Sequence, residues 1–257
     1  MPSNDGLLDR NTPVLGASCT LHSKPTIEIF ADAGLDYAFL DFEHTGPSIW
    51  DSHALEEYVR TAEDTPIELL VRIPSGDPQC LAGLVRRVLD TGVRNVVVPR
   101  VRTTAEVEAV VAAASFDQGE RGVPASRGSR WGATLNPDWI RHEDETANVG
   151  IMIENADAVA NLEEWVEIDG LSFVLLGPMD LSVDFGTPTE IDDPEVVEAI
   201  DRVVDICANN DMPFGLLGGD LQTGTDIVDR GGTFLHVGSS VGFLRDGVRE
   251  AVENAKQ

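Results

Sequence analysis

Lysine is nearly missing from this chain of 257 residues: Lys24 and Lys256 stand against 16 arginines and a combined 45 aspartates and glutamates. An enzyme that works through a Schiff base needs a lysine inside its site. Here one lysine opens the first predicted helix and the other is the penultimate residue. The sequence therefore argues against imine chemistry, and electrophilic help must come from a metal ion or an arginine. Positive charge is scarce altogether, with a formal net charge of -27. Nucleic acid and anionic membranes call for a basic face, so small molecules are the expected ligands. The three cysteines, Cys19, Cys80 and Cys207, are odd in number, far apart and set among apolar residues. They suit core thiols better than a disulfide framework or a CxxC metal site. No apolar run reaches the roughly 18 residues of a membrane span, and residues 1–10 lack the apolar stretch of a secretory leader. A cytoplasmic protein is expected. Absent too are a Gly-x-Ser-x-Gly elbow, a Walker-type phosphate loop and a His-Glu-x-x-His pair, which removes the common hydrolase, NTPase and zinc-peptidase readings.

The abundant acidic residues are spread along the whole chain and not gathered in a tail. Proteins of salt-loving microbes share this distribution, because an acidic surface stays hydrated in concentrated salt while the ions screen its self-repulsion.

Short β-branched runs alternate with longer amphipathic segments. Strands are predicted at 14–20, 37–41, 67–73, 95–101, 149–154, 171–176, 214–217 and 234–237. Helices are predicted at 26–33, 50–62, 77–91, 103–114, 156–165, 194–209, 221–230 and 241–254. Thr103 to Glu106 fits a capping box, and Asp193-Pro194 sets an acceptor before a proline at the first helical position. Eight βα units without a linker predict an α/β protein, a single-domain (β/α)8 TIM barrel over residues 1–257, with 1–12 a flexible amino-terminal extension. An open doubly wound sheet is the competitor, but no GxGxxG follows the first strand, and Gly218-Gly219 and Gly231-Gly232 come late. The segment 115–147 is too long for an ordinary connection, a length typical of lids and partner-contact segments.

Three of the predicted strands break off at acidic or imidazole residues: Asp41-Phe42-Glu43-His44, Glu154, and Gly177-Pro178-Met179-Asp180. Parallel α/β proteins keep their chemistry at the carboxyl ends of strands. Carboxylates converging there call for a cation, and Glu154 with Asp180 supplies two hard oxygen ligands suited to Mg2+ or Mn2+. Helix capping is the plainer reading of each alone. His44, beside Asp41 and Glu43, has the surroundings of a general base. Arg72 ends the third strand, where its planar fork can hold a carboxylate or enolate oxygen, although an ordinary ion pair explains it equally well. Arg100 is a weaker candidate of the same kind. His22, His53, His142 and His236 read as structural, with His236 able to face the barrel interior. Gly238-Ser239-Ser240 can bind phosphate or merely cap the last helix.

Taken together, Leu40-Asp41-Phe42-Glu43-His44, Val71-Arg72-Ile73-Pro74, Val98-Pro99, Gly119-Glu120-Arg121-Gly122, Ser129-Arg130-Trp131, Met152-Ile153-Glu154 and Leu176 to Ser182 resemble the HpcH/HpaI aldolase family, in order over nearly the whole chain. The resemblance implies a (β/α)8 barrel that reversibly cleaves 2-keto-3-deoxy or 4-hydroxy-2-oxo acids to pyruvate and an aldehyde with a divalent metal, Mg2+ or Mn2+ first and Co2+ next. It implies that Glu154 and Asp180 bind the metal, that Arg72 contacts the pyruvyl oxygen, and that His44 with Asp41 forms the base dyad. Backbone from Gly177 through Pro178 to Met179 would lie along the pyruvyl carboxylate, and the loop from Arg121 to Trp131 would help shape the aldehyde pocket. A homo-oligomer, hexameric or trimeric, with its carboxy-terminal helix exchanged between barrels, is implied as well. Met152 and Met179 stand where relatives often carry more polar or smaller residues. Two rivals keep the barrel: an acyl-CoA lyase of the citrate-lyase β-subunit or malyl-CoA type, and a non-catalytic barrel that binds metal and keto acid.

Overall fold

The structure, a computed structural model, describes residues 6–9, 12–117, 119–218 and 221–256. Eight parallel strands close into a barrel in chain order: β1 (Val14–Ser18), β2 (Tyr37–Asp41), β3 (Glu68–Arg72), β4 (Asn95–Val98), β5 (Asn148–Ile153), β6 (Leu171–Leu176), β7 (Phe214–Leu216) and β8 (Phe234–Ser239). Because helices cover the outside and side chains fill the inside, the strands are nearly continuous apolar runs without alternation. Val14, Tyr37, Phe39, Leu70, Val97, Met152, Phe173, Leu175 and Phe234 pack the barrel interior. The interior aromatics leave no room beside them for a further side chain. A Cβ on Gly16 would lie 2.3 Å from the Tyr37 ring, and one on Gly150 would lie 2.2 Å from Phe173. Leu7, in a 3-10 turn at Leu7–Asp9, is fully buried in the same cluster. The predicted flexible extension is thus tied down at that point, while its residues 1–5, 10 and 11, like Gly219, lie outside the described residues.

The surrounding helices are α1 (Lys24–Asp32), α2 (Ser52–Glu63), α3 (Pro78–Asp90), α4 (Thr104–Ala114), α5 (Pro137–Thr146), α6 (Ala156–Trp165), α7 (Pro178–Asp184), α8 (Pro194–Asn209), α9 (Leu221–Asp229) and α10 (Ser240–Ala255). Their starts follow the capping signals in the sequence. The Asp77 side chain accepts the Cys80 N-H at 3.0 Å before Pro78. The Thr103–Glu106 box forms in full. Helix α3 then turns Leu81, Leu84, Val85, Val88 and Leu89 onto the sheet, the i, i+3, i+4 stripe that burial rewards.

The segment 115–147 departs from expectation. It joins α4 to β5, so it opens on the amino-terminal face, opposite the mouth where strands end, and it is no lid for its own barrel. It contains α5, which has no apolar stripe to announce it, and whose buried residue is Glu143. Glu143 is fully buried and bonds both Arg94 and Arg121, the latter at 3.0 Å with 1% of its side chain exposed. The Arg121 guanidinium also lies 4.5 Å from the centroid of the Phe116 ring. A buried ion network replaces the apolar packing that periodicity detects.

The net charge of -27 gives one expectation for the folded state. The thermal unfolding midpoint should rise by about 10 °C between 0.1 and 2 M KCl as self-repulsion is screened. Scanning calorimetry across a salt series would show it, and an unchanged midpoint would count against a salt-adapted surface.

Candidate active site

At the mouth, parallel pairing sets Asp41, the last residue of β2, beside Arg72, the last residue of β3. The guanidinium forks onto the carboxylate, Nε to Oδ1 at 2.9 Å and Nη2 to Oδ2 at 2.7 Å. Asp41 Oδ1 also accepts the backbone N-H of Glu43 at 2.9 Å and of His44 at 3.3 Å. Burial alone would raise the Asp41 carboxyl, but the Arg72 bonds and charge outweigh it and hold Asp41 below the usual carboxylate range. The remaining Nη1 of Arg72 lies 3.3 Å from Glu43 Oε2 and 3.6 Å from Met152 Sδ.

Glu154 directly follows β5 and is 4% exposed. Its Oε1 accepts the backbone N-H of Arg100 at 2.6 Å. Arg100 adopts a left-handed backbone, φ 57°, a strained state for a residue with a side chain, and from it donates to Glu154. Gly177 gives the glutamate room, since a Cβ there would come within 3.1 Å of Glu154 Cβ and 3.2 Å of Oε2. Burial, then the charges of Asp180 and Glu43, push the Glu154 carboxyl up to about 7. Asp180, in the first turn of α7, is 41% exposed and lies 3.6 Å from Arg100 Nη1. Asp41, Arg72, Met152, Gly177, Met179 and Asp180 line part of one cavity of about 370 Å3.

This mouth sits in a chain whose residues 19–246 match the family model of the HpcH/HpaI aldolase/citrate lyase family. The chain belongs to that family. It is 31% identical to a pyruvate aldolase of Rhizobium etli over 91% of this chain and 89% of that protein. It is 29% identical to a hydroxypyruvate/pyruvate aldolase of Pseudomonas aeruginosa over 87% and 81%. Among solved structures, an HpcH/HpaI aldolase/citrate lyase family protein from Burkholderia cenocepacia superposes with a TM-score of 0.87 at 26% identity, covering 98% of this chain and 97% of that one.

In this HpcH/HpaI barrel the residues singled out from the sequence mostly share one mouth, with two qualifications. The His44 imidazole is 61% exposed, and its Nε2 lies 3.6 Å from Glu43 Oε2; Asp41 meets the His44 backbone and gives its carboxylate to Arg72. Glu43, to which the sequence reading gave no separate role, is the carboxylate beside the imidazole. Pro178 is buried at the start of α7, while Met179 is 48% exposed. Sequence reasoning also passed over the Arg100 N-H and Ser18, a residue that parity along β1 places on the interior face with Val14 and Gly16.

The donor set fits a divalent cation. Burial and then neighbouring negative charge raise the Glu154 carboxyl more than the charge of Arg72 lowers it, and one Glu154 oxygen is left over after Arg100 has bonded the other. Among the described residues no three His, Cys, Asp or Glu side chains form a closed metal cage. Glu154 and Asp180 would therefore hold an ion with open positions.

Proposed function

We propose that this chain is a divalent-metal-dependent aldolase that reversibly cleaves a 2-keto-3-deoxy or 4-hydroxy-2-oxo acid to pyruvate and an aldehyde. The observation that carries this reading is Glu154, raised by burial and by the charge of Asp180 beside it, in one mouth with Arg72. A divalent cation held by the two carboxylates, Mg2+, Mn2+ or Co2+, would act as a Lewis acid toward the keto oxygen of the substrate.

The protein's own groups do the rest. Arg72 is pre-oriented by two bonds to Asp41, and its Nη1, which lies against Glu43 and Met152, is the edge left to meet negative charge on the keto oxygen. Backbone from Gly177 to Met179 borders the place for the pyruvyl carboxylate. His44, steadied by Glu43, takes the proton of the 4-hydroxyl. The C3-C4 bond breaks, its electrons pass into the enolate, and C4 leaves as the aldehyde. Return of a proton to C3 gives pyruvate.

Of the described residues lining the cavity, Arg72 alone is cationic, and it is committed to Asp41, which disfavours the phosphates of an acyl-CoA. Helix α10 leaves Phe243, Leu244, Val248 and Val252 exposed, between 44% and 60%. This supports a homo-oligomer, hexameric or trimeric, in which that helix is exchanged between subunits. A cytoplasmic, salt-adapted protein suits the acidic surface, and no helix among the described residues is long and apolar enough to cross a membrane.

The test is pyruvate formation from a racemic 2-keto-3-deoxy sugar acid with added Mn2+, followed by coupling to lactate dehydrogenase. His44→Ala should be slower by about 100-fold in kcat. Tight pyruvate binding without turnover across a panel of substrates would instead identify a non-catalytic barrel.

A further inference from the structure

The cavity has two chemically different halves. From β2 round to α7 it is bordered by Asp41, Arg72 and Asp180, whereas the described residues of the wall from β7 through β8 to β1 carry no charged side chain: Leu217, Leu221, Val237 and Ser239, with Ser18 and His236. On that wall the Ser18 Oγ lies 3.1 Å from His236 Nε2. The imidazole is wedged among the rings of Phe39, edge-on at 6.1 Å, and Tyr37 at 6.5 Å. Its Nδ1 faces the backbone at Gly238 without a well-formed hydrogen bond. Burial drives the His236 imidazole down to about 4, so the ring is neutral at physiological pH. The pair is thus an uncharged polar spot in a wall whose other described polar side chain, Ser239, is taken up in capping α10 through the Gly242 N-H. A hydroxyl has one proton and two lone pairs, and His236 uses one of these three. Ser18 keeps hydrogen-bonding capacity that no other described group takes up.

If the keto oxygen is held at Arg72 and the carboxylate along Gly177 to Met179, the rest of the substrate extends toward this wall. We propose that Ser18, positioned by His236, recognises a hydroxyl on the departing aldehyde, and that this aldehyde is short, neutral and hydroxylated. The inference rests on the aldolase reading and deepens it by naming the class of the second product. An aldehyde with its own carboxylate would lose water against a wall whose described residues offer no cation to receive it, which is costly. An alkyl aldehyde of equal size would leave the Ser18 hydroxyl and its share of the bond unanswered.

The experiment runs the reaction in the direction of addition, with pyruvate, Mn2+ and one of three aldehydes: glycolaldehyde, propionaldehyde or glyoxylate. Carbon 3 of pyruvate bonds to the aldehyde carbon, and the aldehyde oxygen takes up the proton. The expected kcat/KM for glycolaldehyde exceeds that for propionaldehyde by about tenfold, and glyoxylate is the poorest of the three. In Ser18→Ala the first ratio falls to about one. His236→Gln, whose amide can still bond Ser18, keeps most of the preference, while His236→Leu loses it. Exchange of the pyruvate methyl protons with deuterium oxide, followed by NMR on the unsubstituted protein without any aldehyde, reports the aldolase reading by itself. Exchange together with a best rate for glyoxylate, or with a ratio that Ser18→Ala leaves unmoved, overturns the Ser18 assignment and spares the aldolase. Absence of exchange overturns both.

Discussion

Glu154→Gln is expected to lower kcat/KM for the cleavage reaction by about a thousandfold, roughly 4 kcal/mol of transition-state stabilisation, with Asp180→Asn close behind. Each change removes one of the two carboxylates proposed to hold the ion, while Asp41 and Glu43 are already engaged with Arg72. The glutamine is nearly isosteric, and its carbonyl can still accept the Arg100 N-H, so the barrel should be undisturbed. Stability provides an independent sign. Glu154 in the folded protein titrates near 7, against an ordinary value of 4.5, so the metal-free fold holds a proton that the unfolded chain releases. Between those two values the stability of the metal-free protein should fall as pH rises, and Glu154→Gln should abolish that contribution. Urea unfolding at pH 5 and pH 7.5, with the metal stripped, would resolve the two slopes. A variant that keeps full activity, or a slope of the opposite sign, would show that Glu154 has another role.

Glu143→Gln should be among the most damaging substitutions to the fold, about 3–5 kcal/mol, because it strands charge already removed from water. Glu143 is fully buried, and the guanidinium of Arg121, with 1% exposure, bonds it at 3.0 Å and has Asp90 3.5 Å away as its other carboxylate. Arg94 would lose the same partner. The network clamps 115–147 to the amino-terminal face, the side of the barrel away from the mouth. The expected result is a large drop in the denaturation midpoint while activity per folded molecule changes little. A shift under 1 kcal/mol would mean that water or local rearrangement takes over the charge.

Most of the architecture could be read from the chain because the signals were local. Strand runs such as Asn95 to Val98 and stripes such as Leu81 to Leu89 follow from burial, and caps at Thr103 and Asp193 follow from unpaired N-H groups at helix starts. Helices α5 and α7 were hidden for opposite reasons: α5 packs through a charge network, and α7 is only 7 residues long. The location of the 115–147 segment was implicit in the order helix, loop, strand, which always opens on the amino-terminal face. At the mouth, strand ends announced Asp41, Arg72, Glu154 and Asp180. What one-dimensional pattern does not carry is choice among neighbours. Which carboxylate would face the His44 ring depended on Arg72 having claimed Asp41, a contact set by the β2 and β3 register. Likewise, the 218 positions that separate Ser18 from His236 disappear only when β8 closes onto β1.

The most direct test is titration of the purified, metal-stripped protein with Mn2+, followed by electron paramagnetic resonance and calorimetry, beside Glu154→Gln, Asp180→Asn and the double variant. The expected outcome is one Mn2+ per chain, bound at least about 100-fold more weakly by each single variant and not measurably by the double variant, with a proton released on binding below pH 7. Unaltered Mn2+ binding by the double variant would contradict the account.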